Sequence, residues 1–220
     1  MAKNKSILAV SVLFLLVSLP ALFAAGEPGV SVPWDRLIRV PLVRQSTGYT
    51  CGVASLLSVI SYFFSADPEL RWVREDKLAA ELGTTSDGTN FNHIAQVARA
   101  KGLSAEVHTN MKLDELKRAL DERKPVILAI QAWSDDPTGY KDDKDSGHYV
   151  VAIGYNAVNF YFMDPSTLGN YAFIPADELP DRWHDVYTEA GAEISVIGLG
   201  IVFSYATAPT YNPEIVRALQ

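Results

Sequence analysis

Helical patterns in the first half of the chain and strand patterns in the second predict an α+β fold. Three observations carry this. An apolar helical pattern starts at Cys51, two further helical segments follow before Gly102, and beyond Pro125 the apolar runs have the length and composition of strands. The 220 residues are 48% hydrophobic and 20% charged, with no repeat or low-complexity tract, which fits one domain with a sizeable core.

Residues 27–41 are spaced by proline and glycine and form an entry segment, in which Leu37-Ile38-Arg39-Val40 reads as a short strand. Thr50 is placed to cap the helix that begins at Cys51. Val53, Leu56, Leu57, Ile60, Phe63 and Phe64 recur at helical spacing and predict one buried face, ending at Asp67-Pro68. Helices are expected over 74–82, stopped by Gly83, and over 91–101, stopped by Gly102. A short strand over 103–107 precedes a helix over 113–120 that turns Leu113, Leu116 and Leu120 inward. The continuous apolar run 125–130 predicts a strand buried on both faces. Strands follow over 149–155, 160–163, 171–174 and 196–205, and 206–220 reads as a loosely packed tail. The 196–205 run is far shorter than the ~20 residues a membrane span needs.

Lys3 and Lys5, an apolar run from Ile7 to Val17, Pro20, and small residues up to Gly26 have the layout of a secretory signal peptide. Residues 1–25 are therefore read as a signal peptide and 26–220 as a single domain, exported to a periplasm or out of the cell. Uncleaved, residues 7–25 would instead anchor the chain to a membrane. The formal charge of −7 disfavours nucleic acid as a partner. One cysteine makes no internal disulfide and is too few for a structural zinc site, and His93, His108 and His184 lack ligand spacing, so no metal or other cofactor is expected. Asp135, Asp136, Asp142, Asp143 and Asp145 lack the periodicity of a calcium loop and read as a solvated loop, placed to act as a flap. Removing 136–144 would then change turnover or substrate choice.

The lone cysteine sits in Gln45-Ser46-Thr47-Gly48-Tyr49-Thr50-Cys51-Gly52-Val53-Ala54. A free thiol, with pKa ~8.5, supplies little thiolate at neutral pH. A helix N-terminus and a nearby histidine that takes the proton both remedy this. His148, in Gly147-His148-Tyr149-Val150-Val151, opens a strand, and Asp164, in Phe162-Met163-Asp164-Pro165, closes the next. If a tight turn over 155–159 joins those strands as an antiparallel hairpin, the start of the first and the end of the second are neighbours. Asp164 would then hold the imidazole so that its other nitrogen serves Cys51. Donors for an oxyanion would be the Cys51 backbone N–H and the side-chain amide of Gln45, six residues upstream.

The Gln-x5-Cys-Gly-x-Ala, Gly-His-Tyr-Val-Val and Asp-Pro segments resemble the bacteriocin-processing cysteine peptidases, papain-like domains that cut leader peptides after double glycine. Residues 91–107 and 113–130 resemble the helix–turn–strand and helix–strand units of that family, so the likeness spans about 40–175. It implies a papain-like fold, a peptide or protein substrate, Cys51 as nucleophile, His148 as base, Asp164 as orienter and Gln45 as oxyanion donor, in a free-standing, exported member. Two other readings keep the fold. One is a thiol amidase or acyltransferase acting on cell-envelope amides; the other is a catalytically silent papain-like binding module.

Overall fold

The structure, a computed structural model, describes residues 36–134, 139–166, 171–189 and 191–215. The expected signal peptide lies outside these residues. The chain order is α1 (Cys51–Phe64), α2 (Glu75–Leu82), α3 (Phe91–Ala100), β1 (Ser104–His108), α4 (Leu113–Asp121), β2 (Val126–Gln131), β3 (Gly147–Tyr155), β4 (Asn159–Met163), β5 (Ala172–Pro175), α5 (Leu179–Arg182), β6 (His184–Glu189), β7 (Ala192–Ile197) and β8 (Gly200–Ser204). Six strands form a sheet in the order β1-β8-β2-β3-β4-β5, antiparallel throughout, and β6 pairs with β7 as a separate antiparallel hairpin. This is the α+β architecture expected, with α2 and α3 ending at Leu82 and Ala100 beside the predicted glycine stops.

Helix α1 carries the fold. One buried face was expected, but every residue except Leu57 and Ser61 is buried. The reason is tertiary: the helix lies against β3, with Ser55 Oγ donating to Tyr149 O at 3.2 Å, while α2 and α3 cover another side. Its end is closed by the tail, where the Tyr211 N–H donates to Tyr62 O and Thr210 Oγ1 to Phe63 O. Burying a Val, Leu, Ile or Phe side chain contributes about 1.5–3 kcal/mol, so α1 is a main source of stability. Thr50 occupies the N-cap position without capping. Its hydroxyl accepts from the Thr47 N–H at 3.2 Å instead, because it is turned back into the preceding loop.

Two strand predictions are corrected. Leu37 to Val40 buries Leu37, Ile38 and Val40 but is not a strand. A bulge between Ala152 and Gly154 takes Ile153 out of the β3–β4 ladder, and its carbonyl accepts the Ile38 N–H at 2.8 Å. With β3 already paired on both edges, the segment gains that single bond and then turns back, Val40 N–H to Ile38 O. The 196–205 run is not one strand but parts of β7 and β8, which belong to different sheets. Gly198 breaks it at φ 61°, donating to Trp183 O and accepting from the Met111 N–H. A side chain there would meet Met111 O at 2.7 Å, so only glycine fits the reversal. In α4, Leu116 and Leu120 are buried as expected, whereas Leu113 is half-buried.

Candidate active site

Cys51 is the first residue of α1 and is 8% exposed. Gly52 lets that helix end sit tightly under the sheet, since a side chain there would meet Thr89 Cβ and Tyr149 Cδ2 at 3.1 Å. No side-chain cap closes the first turn, so the positive end of the helix dipole is left uncapped beside the sulfur.

His148 lies near the start of β3, opposite Ile130 of β2, and is buried. Its Nε2 is 2.8 Å from Asp164 Oδ1, just past the end of β4. The hairpin register makes this neighbour relation, with Val151 opposite Met163 and the turn closed by Asn156 Oδ1 accepting from the Val158 and Asn159 N–H groups. The Cys51 side chain shares the cleft with His148 and acts on its imidazole. Because Nε2 is engaged by Asp164, Nδ1 is the ring nitrogen left to serve the sulfur. The structure thus brings together three of the four predicted site residues, from a helix start and two strand ends.

Electrostatics favour a protonated imidazole. Burial opposes its charge and is the largest single influence on His148. The hydrogen bond to Asp164, the hydrogen bond to Cys51 and the charges of both partners outweigh it, raising the pKa to about 9. Burial likewise opposes charge on Asp164, yet His148 and the Ser166 hydroxyl and N–H, at 2.7 and 2.8 Å, hold its carboxyl well below the usual carboxylate range.

Gln45 is placed differently. Its backbone N–H donates to Pro165 O at 3.1 Å, tying the cysteine loop to the residue after Asp164. Its Nε2 donates to Thr47 O at 2.8 Å, and its Oε1 is buried without a partner among the described residues. The side chain does not line the cleft that holds Cys51 and His148.

That cleft, about 550 Å³, includes residues that sequence reasoning missed: Thr89, Tyr149 and Asp185. Tyr149 is buried and donates to Thr89 O at 3.1 Å, fixing the loop between α2 and α3 against β3. Trp133, 54% exposed, lies over His148 with ring centroids 4.8 Å apart. Neither Trp133 nor Asp185 sits in a patterned motif; only the chain crossings at β2 and β6 bring them near. His93 and His184 are satisfied by the carbonyls of Leu82 and Tyr140, at 3.0 and 2.7 Å. No cluster able to hold a metal occurs among the described residues. The acidic loop, described from 139 onward, is irregular and pinned at its base, Ala132 N–H to Ser146 O and Ser146 N–H to Gln131 Oε1.

The sequence of residues 37–190 matches the family described as Peptidase_C39 like. The chain belongs to the C39-like peptidase family. It is 27% identical over 125 residues to an uncharacterized protein of Methanothermobacter marburgensis, 57% of this chain and 71% of that one. Among solved structures, this family member resembles a C39-like protein from Bacillus anthracis (TM-score 0.54, 18% identity, 77% of this chain and 96% of the other). It also resembles the peptidase domain of Streptococcus ComA, a bifunctional ABC transporter of a quorum-sensing pathway (0.53, 18%, 74% and 97%). A third is the double-glycine-motif protease of an AMS/PCAT transporter, solved with its leader peptide (0.50, 22%, 76% and 92%). The family and fold are those of papain-like cysteine peptidases, as the sequence resemblance implied.

Proposed function

We propose that this protein is a cysteine peptidase working through Cys51, His148 and Asp164. The observation that carries the reading is one buried imidazole bonded through Nε2 to Asp164 at 2.8 Å in the cleft that Cys51 also lines. Cys51 as thiolate attacks the substrate carbonyl carbon, and the electron pair of the C=O bond moves to oxygen. The Cys51 N–H stabilises that oxyanion. The second N–H of Gln45 Nε2, the one not given to Thr47, is the further donor once the side chain turns into the cleft, which it does not line at rest. The imidazolium of His148 then protonates the leaving nitrogen as the C–N bond breaks, leaving a thioester. Water attacks the thioester, His148 takes its proton, and the C–S bond breaks to release the carboxylic acid and Cys51. Asp164 keeps the ring oriented and stabilises its charge throughout.

A peptide is the substrate class this chemistry suits, and the N-terminal segment supports export with cleavage near residue 25. The decisive experiment is peptide hydrolysis by the mature protein alongside Cys51→Ala. Activity is expected to vanish while circular dichroism and melting stay unchanged; hydrolysis retained in the variant refutes the proposal.

A further inference from the structure

The segment Trp183-His184-Asp185 has no part in that chemistry, yet its Asp185 reaches the same cleft. We infer that Asp185 determines specificity by receiving a cationic group of the substrate next to the scissile bond, a lysine or arginine side chain or a free amino group. This rests on Cys51 and His148 being the reacting pair.

Asp185 stands near the start of β6, with the carboxylate fixed on one oxygen. Oδ1 accepts the Val186 N–H at 2.8 Å and Gln131 Nε2 at 3.3 Å. Gln131 is fully buried, and its own Oε1 accepts from the Ser146 N–H at 3.0 Å, so this support is rigid. Oδ2 accepts no hydrogen bond from the described residues. The carboxylate lies directly on Gly147, where a side-chain carbon would fall 2.6 Å from Oδ1 and 3.2 Å from Oδ2. Glycine there lets a carboxylate approach the residue that precedes His148.

Asp185 is not a second orienter of His148. The imidazole nitrogen that an orienter would hold, Nε2, is already bonded to Asp164. Asp185 belongs instead to the wall of the cleft that Cys51 and His148 also line. Asp87, Asp145 and Asp185 line the same cleft against Lys144 and the His148 imidazolium, so three carboxylates face two cations and the wall as a whole favours cations. Burial pushes the Asp185 carboxyl up to about 6, and its hydrogen bonds and the nearby histidines hold it from rising further, so it is mostly ionised at neutral pH. A partly desolvated carboxylate with one unsatisfied oxygen is costly alone and strongly stabilised by a cation.

The test uses methanethiosulfonate reagents on the whole protein. The Cys51 thiolate attacks the sulfenyl sulfur, a mixed disulfide forms and methanesulfinate leaves, so the rate depends on what the cleft admits to the sulfur. Rates are measured with the cationic aminoethyl, neutral methyl and anionic sulfonatoethyl reagents. A Ser104→Cys variant in a Cys51→Ser background is the exposed reference for the net charge of the chain. The cation-to-anion rate ratio at Cys51 is expected to exceed that of the reference about tenfold or more. Asp185→Asn, which keeps the shape and the Oδ1 bonds, is expected to bring the ratio near the reference, whereas Asp87→Asn changes it little. A wild-type ratio equal to the reference overturns the inference, even if Asp185→Asn does not fold. So does a ratio unchanged in Asp185→Asn, or one abolished by Asp87→Asn alone. Slow reaction with the neutral reagent, insensitive to His148→Ala, instead marks failure of the reacting pair and takes the inference with it.

Discussion

His148 Nε2 and Asp164 Oδ1 are 2.8 Å apart although they lie 16 positions apart in the chain, because β3 enters and β4 leaves the sheet at the same end. A turn closed by Asn156 sets that register, so the orienting pair comes from hairpin geometry, and α1 need only deliver Cys51 to the other side of the ring.

The pH dependence follows. His148 is raised from 6.5 to about 9, so the folded protein holds its proton more tightly than the unfolded chain. The stability this contributes is fully present below about pH 6.5 and is lost as pH rises through about 9. The alkaline limb of kcat/KM is expected near pH 9, where the imidazolium that protonates the leaving group disappears. A pH–rate profile with its alkaline limb near 6.5 contradicts the pairing.

Removing the orienter should move that limb. In Asp164→Ala the imidazole loses its hydrogen-bond acceptor and a neighbouring charge, so the alkaline limb is expected to shift toward 6.5 and kcat to fall about tenfold or more. Asp164 itself stabilises the fold at pH above its ordinary 3.8, and that contribution fades as pH falls below it. An unshifted profile in the variant would mean that the bond to His148 does not tune the base.

Gln45→Ala is expected to lower kcat about 10²–10³-fold with little change in KM, the pattern for a donor used only in the transition state. An equal loss of melting temperature in Gln45→Ala and Thr47→Gly, with kcat intact, would assign the side chain to loop structure through its bond to Thr47 O.

Asp185→Asn is expected to stabilise the protein. Burial raises this carboxyl from 3.8 to about 6, so its ionised form at neutral pH is a cost to folding that vanishes as pH falls through 6 toward 3.8. Thermal melts at pH 7.5 should favour the variant by on the order of 2–3 kcal/mol, and the difference should disappear near pH 4. A less stable variant at pH 7.5 would show that the carboxylate is structurally required.

Gly147→Ala tests the same contact from the other side. Its methyl group would press on Asp185 Oδ1 at 2.6 Å, so the carboxylate or β6 must move, and the unfolding free energy is expected to drop by about 1–3 kcal/mol. In the Asp185→Ala background the loss should shrink, a coupling that a double-mutant cycle reads directly.

Periodicity and punctuation determined much of this protein in the sequence alone. The glycine stops at 83 and 102, the helix opening at Cys51, the fully buried β2 and the hairpin joining His148 to Asp164 are local in character, because each depends on residues within a turn or two, or on one tight connection. Other features needed the tertiary structure. The split of 196–205 between two sheets turns on a glycine whose reversal is enforced by Met111, far away in sequence. The Leu37 to Val40 segment fails as a strand because a bulge elsewhere leaves it one carbonyl. The turned-back Thr50 hydroxyl, Trp133 over His148 and Asp185 against Gly147 had no sequence signature for the same reason. Hydrophobic spacing records which face of an element is buried, while contacts between elements far apart in sequence are decided only when the core closes around α1.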